Sequence, residues 1–424
     1  MERVAVIGSG IAGLGCAHFL QGHYDLTVFE QDDRTGGHSN TIMAQENGIP
    51  VPVDTGFMVF NQVTYPNLTR LFRELNVATK RTDMSFSVQH CPTGLEYNGG
   101  SLGLLFGQRR NLFRPRHWKM LMAINRFNSE AVAAMDDPQW EALSLHEYIK
   151  ARGYGEDMYR LYLVPMSSAV WSTPPEKMDA FPATKLLRFW YNHGFLGLKT
   201  QHPWWTVDGG SGRYVEKITA PFRDRIRTGH KAVQVRRVGD KAEIQFAGGG
   251  GETFDKVILA CHGDQALKLL ADPTDAEARL LKPFVCQPNT ATLHTDPQFM
   301  PREKRCWAAW NYRLEAGHDG SVEATTHYWM NRLQGVSDRV GYFVSLNCHE
   351  RVKPECVLKR IEYRHPLFDR EAIRAQKELP GLNRISPDQT TYYAGAWFKY
   401  GFHEDGLTSG LECARAITGN PIWS

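Results

Sequence analysis

Three glycines, Gly8, Gly10 and Gly13, follow a short apolar run at 4–7 and open an apolar pattern through Leu14, Ala17, Phe19 and Leu20. A strand, a tight turn and a helix in that order bring exposed N–H groups and the positive end of a helix dipole to one point, where a diphosphate binds. Gly8 permits the turn, Gly10 lets the diphosphate approach the backbone, and Gly13 lets the helix pack close to the sheet. Ile11 and Ala12 begin that helix. A second strand at 26–29 ends in Glu30, followed by Gln31, and a carboxylate there accepts hydrogen bonds from ribose hydroxyls. A lone G-x-G-x-x-G is weak, but strand, helix, second strand and terminal acid in register read as a dinucleotide site.

The next residues, Gln31-Asp32-Asp33-Arg34-Thr35-Gly36-Gly37-His38, resemble the R-x-G-G extension of the superfamily that includes monoamine oxidase, protoporphyrinogen oxidase and phytoene desaturase. The resemblance implies FAD, with Gly36 and Gly37 under its pyrophosphate, Arg34 nearby, and His38 where amine oxidases usually carry arginine. Asp54-Thr55-Gly56-Phe57 looks like the D-x-G segment that approaches the flavin ring in that superfamily. At the other end, a strand pattern at 391–395 closes on Gly395. Gly401-Phe402-His403-Glu404-Asp405-Gly406-Leu407-Thr408-Ser409-Gly410, followed by a helix at 411–417, resembles the second FAD signature. A helix N-terminus aimed at N1 and the C2 carbonyl stabilises the negative charge of reduced flavin, with N–H groups near His403 and Glu404 as the donors and Leu407 in the same signature. The acid that usually follows A-G is replaced by Ala396, and no cysteine lies in the loop that carries the covalent flavin link elsewhere. Dissociable, non-covalent FAD is expected. The resemblance also places Val233, on a strand at 232–235, against the adenine through its backbone.

These elements imply an α/β, two-dinucleotide-binding-domain flavoprotein. A discontinuous, Rossmann-like FAD domain comes from 1–80, 205–270 and 388–424, and an interleaved α+β substrate domain from 81–204 and 271–387. The length, 424 residues, exceeds what one ordinary core fills. With 22% charged residues and a formal net charge of +3, neither disorder nor a nucleic-acid-binding tail is indicated. The eight cysteines are scattered without C-x-x-C spacing, so no metal site is expected and free thiols in a reducing compartment are. The first apolar run leaves no room upstream for a signal peptide, and no stretch approaches the ~20 apolar residues of a membrane span. A cytoplasmic protein, with at most peripheral contact at the inner face of the membrane, is the expectation.

For the chemistry, the bases nearest the flavin signature are His403 and Glu404, with His403 preferred because an ordinary imidazole titrates near neutrality. Tyr400, Trp397 and Asn311 are candidates for shaping the site. Aromatic clusters at 189–191, 204–205, 307–312 and 326–331 are either core or the wall of an apolar pocket. The segment 104–127 interleaves Leu, Phe, Trp and Met with Arg109, Arg110, Arg114, Arg116, Lys119 and Arg126 and contains no acid. It suits either a lipid headgroup layer or a helix pair over the cavity with a solvated basic face. Details at 38–41, 330–334 and 401–406 resemble bacterial flavoprotein desaturases that act on methyl-branched membrane fatty acyl chains on the route to furan fatty acids. That resemblance implies removal of two hydrogens from an apolar lipid substrate, with a partner protein or other electron acceptor downstream. An amine oxidase acting on a soluble amine and a non-catalytic flavin-binding partner in lipid metabolism remain open alternatives.

Overall fold

The computed structural model of the chain describes residues 1–197, 200–317, 322–348, 350–385 and 389–423. Its organising sheet is parallel, in the spatial order Ile226–Arg227, Asp25–Phe29, Arg3–Ile7, Lys256–Leu259 and Thr391–Tyr393. Val4, Ala5, Val6, Val257 and Ile258 are fully buried, as expected of strands covered on both faces. Both ends of the sequence thus enter one sheet, separated only by Lys256–Leu259.

The helix Ile11–Leu20 packs along the C-terminal helix, His403–Thr418. The latter begins eight residues before the helix read at 411–417, so the glycines of its signature lie within it. A Cβ on Gly406 would sit 2.8 Å from Ile11 Cγ2, and one on Gly410 would sit 2.6 Å from the Ala12 carbonyl oxygen. These two glycines serve the close approach of two helices, and the intrinsic cost of glycine in a helix is offset by that packing.

A seven-stranded sheet runs Val357–Pro366, Cys286–His294, Phe343–Leu346, Val322–Trp329, Trp310–Ala316, Phe86–His90 and Leu95–Asn98. It is antiparallel except where Trp310–Ala316 pairs with Phe86–His90. The strand Ala232–Val238 stands in a separate three-stranded antiparallel sheet with Lys241–Phe246 and Gly251–Phe254. The domain boundary read between 387 and 388 lies outside the described residues.

Asp54 joins three distant segments. Its carboxylate, 1% exposed, accepts from Thr41 Oγ1 at 2.5 Å, from the N–H and hydroxyl of Ser211 at 2.9 and 2.8 Å, and from Gln334 Nε2 at 2.7 Å. Burial raises its pKa and these donors oppose the rise. Asp54→Asn would turn an amide NH2 toward the Ser211 N–H and Gln334 Nε2, which only donate. Urea unfolding should show a loss of about 1–3 kcal/mol, the cost of a buried unsatisfied group.

The seven-stranded sheet also buries a chain of neutral imidazoles. The Asp296 N–H donates to His294 Nδ1 (3.1 Å), so Nε2 carries the proton and donates to Ser345 Oγ (2.7 Å). Ser345 then donates to His327 Nδ1 (2.6 Å), and His327 Nε2 donates to Thr325 Oγ1 (2.8 Å). Burial pushes His294 down to about 4 and His327 well below its ordinary value. Because the folded pKa lies below the unfolded 6.5, the stability these groups contribute is present above pH 6.5 and is lost as pH falls through the folded value. His294 should cost about 2 kcal/mol between pH 8 and 5. Asp405 acts in the opposite sense: burial pushes it up to about 7, so its contribution is full in acid and fades as pH rises through 7. The single variant His294→Gln isolates one histidine: it should lose about 2 kcal/mol less than wild type over that pH interval in urea unfolding.

Candidate active site

The carboxyl ends of the parallel strands open into a cavity of 720 Å³. Gly8, Gly10, Ile11, Ala12, Glu30 and Gln31 line one end with Arg34 and Val233; Gly37, His38, Thr55, Gly56, Phe57 and Gly395 follow, then Tyr400 and His403. Gly8 has φ +106°, and a Cβ there would lie 2.6 Å from the Ala260 carbonyl oxygen, so the turn requires glycine.

Four residues read as cofactor contacts, Gly13, Gly36, Glu404 and Leu407, lie behind this lining. A Cβ on Gly13 would fall 1.9 Å from the Gly8 carbonyl oxygen, one on Gly36 would fall 2.6 Å from that of Ser39, and the Leu407 side chain faces Gly15. They hold the loops that touch the cavity. Gly56 does both, since a Cβ there would meet the His38 carbonyl oxygen at 2.3 Å while Phe57 N–H donates to that oxygen at 2.8 Å.

The donor set at this end fits a dinucleotide. No side chain caps the helix Ile11–Leu20, the space beside the Gly10 Cα is open, and Gly37 comes close enough that its Cβ would lie 3.1 Å from Gly10 Cα. Arg34 Nη2 donates to the Gly37 carbonyl at 2.8 Å. Among the described residues His38 Nε2 is buried without a hydrogen-bond partner. Its ring stacks on Tyr363 at 4.8 Å, with His365 at 5.2 Å and His262 at 6.3 Å. Burial and then His365 and His262 push its pKa well down, and a bound diphosphate would oppose that. Glu30 Oε2 accepts from the Ser9 N–H and hydroxyl at 2.9 and 2.6 Å, and Oε1 from the Asp32 N–H at 3.0 Å. The carboxylate orders the turn, and its remaining lone pairs suit ribose hydroxyls.

At the other end, His403 is a held ring. Its Nε2 shares a hydrogen bond with Ser39 Oγ at 2.8 Å, Ser39 bonds Tyr214 OH, and the imidazole stacks on Phe57 at 3.8 Å. Burial pushes its pKa down to about 3. The reason for preferring it as a base, an unperturbed pKa, therefore does not hold in the fold, and its Nε2 is already engaged by Ser39. Glu404 and Asn311 are corrected more strongly, because neither lines the cavity. Glu404 accepts the Asn67 and Leu68 N–H groups at 3.0 and 2.9 Å, capping the helix Pro66–Glu74. Asn311 is fixed by Ser87 Oγ, the Ala308 N–H and carbonyl, and the His327 carbonyl. Asp405 closes the turn before the C-terminal helix by accepting from Tyr400 and Phe402 N–H at 3.1 and 3.0 Å.

Beyond His403 the cavity wall is apolar: Val59, Met84, Val170, Trp171, Phe195 and Leu346, with Trp204, Trp310, Phe402 and Phe189 between them. One imidazole, that of His193, stands among them, with Tyr65, Tyr328 and Tyr400 also on the lining. His193 Nδ1 donates to the Phe189 carbonyl at 2.9 Å, and its ring stacks on Phe189 at 4.0 Å. A carbonyl only accepts, so Nδ1 carries the proton and Nε2 carries a free lone pair. Sequence reading singled out the aromatics around this histidine and not the histidine itself. Ser39, Tyr214, His262, Tyr363 and His365 were also missed, since each is an isolated polar residue until the fold brings it to the cofactor loops.

A profile of flavin containing amine oxidoreductases matches residues 11–418. The chain belongs to that family. It is an FAD-dependent oxidoreductase. Cyclohexylamine oxidase from Brevibacterium oxydans IH-35A has the same fold, with a TM-score of 0.71 and 14% identity over 99% of both chains. A fatty acid isomerase from P. acnes that produces CLA gives 0.66 and 15% over 99% of both. In sequence, a 15-cis-phytoene desaturase of Synechococcus elongatus is 39% identical over 77 residues, a stretch of 18% of this chain and 15% of the desaturase. The mixed α/β flavoprotein architecture is thus that of the family.

In this flavin amine oxidoreductase, bound FAD supplies a two-electron acceptor. The uncapped N-terminus of the Ile11–Leu20 helix, His38 and Glu30 would hold its diphosphate and ribose. The C-terminal helix, whose first residue His403 lines the cavity, presents its positive end there. The aromatic wall excludes water from whatever reacts beside it.

Proposed function

We propose that the protein removes two hydrogens from an unsaturated, methylated fatty acyl chain of a membrane phospholipid, leaving a further double bond. The observation that carries this is the run of aromatic and aliphatic side chains on the cavity lining, Trp171, Phe189, Trp204, Trp310, Phe402 and Leu346 with Val59 and Val170, around the imidazole of His193. An apolar wall of this kind favours a hydrocarbon. A 15-cis-phytoene desaturase among related sequences and a CLA-producing fatty acid isomerase of the same fold support the reading. His193 Nε2 would accept one hydrogen as a proton, and bound FAD would supply the acceptor for the other as a hydride. Tyr400, which lines the cavity, and Phe402 hold the chain beside them.

An anaerobic titration tests the reading. Phospholipid bearing methylated, unsaturated chains should bleach the flavin absorbance near ~450 nm, and putrescine or cyclohexylamine should leave it unchanged. Bleaching by the amines and not by the lipid would make the protein an amine oxidase. A flavin reduced by neither would fit a non-catalytic partner.

A further inference from the structure

We infer that the surface built from Leu102–Leu105, Arg109–Phe113 and the first turns of the helix Pro115–Ala134 docks on an anionic phospholipid bilayer. Phe113 is 87% exposed, Leu102 68% and Met122 64%, with Leu112 and Trp118 also exposed. Five large apolar side chains exposed within 21 residues form a cluster of the kind that marks an interaction surface. It is ordered. Trp118 Nε1 donates to the Leu112 carbonyl at 3.0 Å, Phe106 packs on the Trp118 ring at 4.8 Å, and His117 Nε2 bonds the Leu105 carbonyl at 3.1 Å. The ring of Trp118 is therefore held at the surface while its N–H is already satisfied.

The charge on this surface names the partner. Residues 97–129 contain no Asp or Glu. Arg109 and Lys119 are exposed and, among the described residues, have no hydrogen-bond or ion-pair partner. Arg110 donates to the Gly94 carbonyl, Arg114 to Asn111 Oδ1, and Arg116 is paired with Asp157. Free cations beside exposed aromatic and aliphatic side chains match lipid phosphates above acyl chains. No helix of the described residues is long and apolar enough to cross a membrane, so the contact is peripheral.

The position also suits the proposed chemistry. Met120, Leu105, Leu121 and Ile124, on the inner side of this surface, pack in one cluster with Tyr312 and Trp310, and Trp310 also lines the apolar half of the cavity. The docking surface and the cavity wall are two sides of one packed layer. Docking does not rest on the acyl-chain reading, and the two fail separately: one is read by vesicle binding, the other by flavin bleaching.

Vesicle flotation of the FAD-loaded protein tests it, with phosphatidylcholine alone and with roughly 30% phosphatidylglycerol. Binding is expected only to the anionic vesicles, and should fall sharply in high salt. Arg109→Gln with Lys119→Gln should weaken it roughly 30-fold, and Phe113→Ser about tenfold, with flavin content and melting temperature unchanged. Equal binding to both vesicles, binding to neither, variants that float like wild type, or capture of DNA in place of vesicles would each overturn the inference.

Discussion

Gly10→Val should give a folded protein that is colourless. At this position φ is −70° and ψ 178°, an extended conformation any residue adopts, and nothing lies within 4 Å of the added Cβ. The apoprotein therefore has no reason to be destabilised. The side chain would project into the space beside the first helical N–H groups, where the diphosphate must sit to be held by them. FAD affinity should fall on the order of 1,000-fold, about 4 kcal/mol, with the circular dichroism spectrum and the urea midpoint kept. Flavin fluorescence quenching on titration with FAD measures the first and denaturant unfolding the second. Wild-type affinity in this variant would mean that the diphosphate lies elsewhere and that the family-like loop is used differently.

His193→Phe should retain FAD and lose turnover. Phenylalanine keeps the stacking on Phe189 and removes the Nε2 lone pair that faces the cavity. If Nε2 takes a proton from the substrate, flavin bleaching by the lipid should slow by about 10²–10⁴-fold, the range for loss of a general base. His193→Gln should not restore it, since an amide is a poor proton acceptor. Burial pushes His193 down to about 4, so the ring stays in its accepting form above that value and the wild-type rate should show no fall from its protonation between pH 8 and 6. A rate within threefold of wild type in His193→Phe would remove the histidine from the chemistry and leave the cavity as a positioning device.

The cofactor half of the molecule was legible because its demands are local. A turn that must pass under a diphosphate needs glycine at fixed offsets, and Gly8, Gly10, Gly37 and Gly56 carry that requirement in the order of the chain, with Glu30 closing the second strand. The same local rule misread the C-terminal signature. Gly406 and Gly410 have the composition of a turn, yet they answer to Ile11 and Ala12, nearly four hundred residues away, across a helix–helix contact. Glu404 likewise has the composition of a catalytic acid and spends its lone pairs on Asn67 and Leu68.

From sequence alone came the family resemblance, FAD and the meeting of the two chain ends, each of which depends on short stretches whose spacing is itself the constraint. Which polar groups face the cavity was decided only by the tertiary structure. A side chain's chemistry depends on burial and on which of its atoms is already engaged, as with the tethered Nε2 of His403 and the lone pair left on His193, and both are set by neighbours remote in the chain.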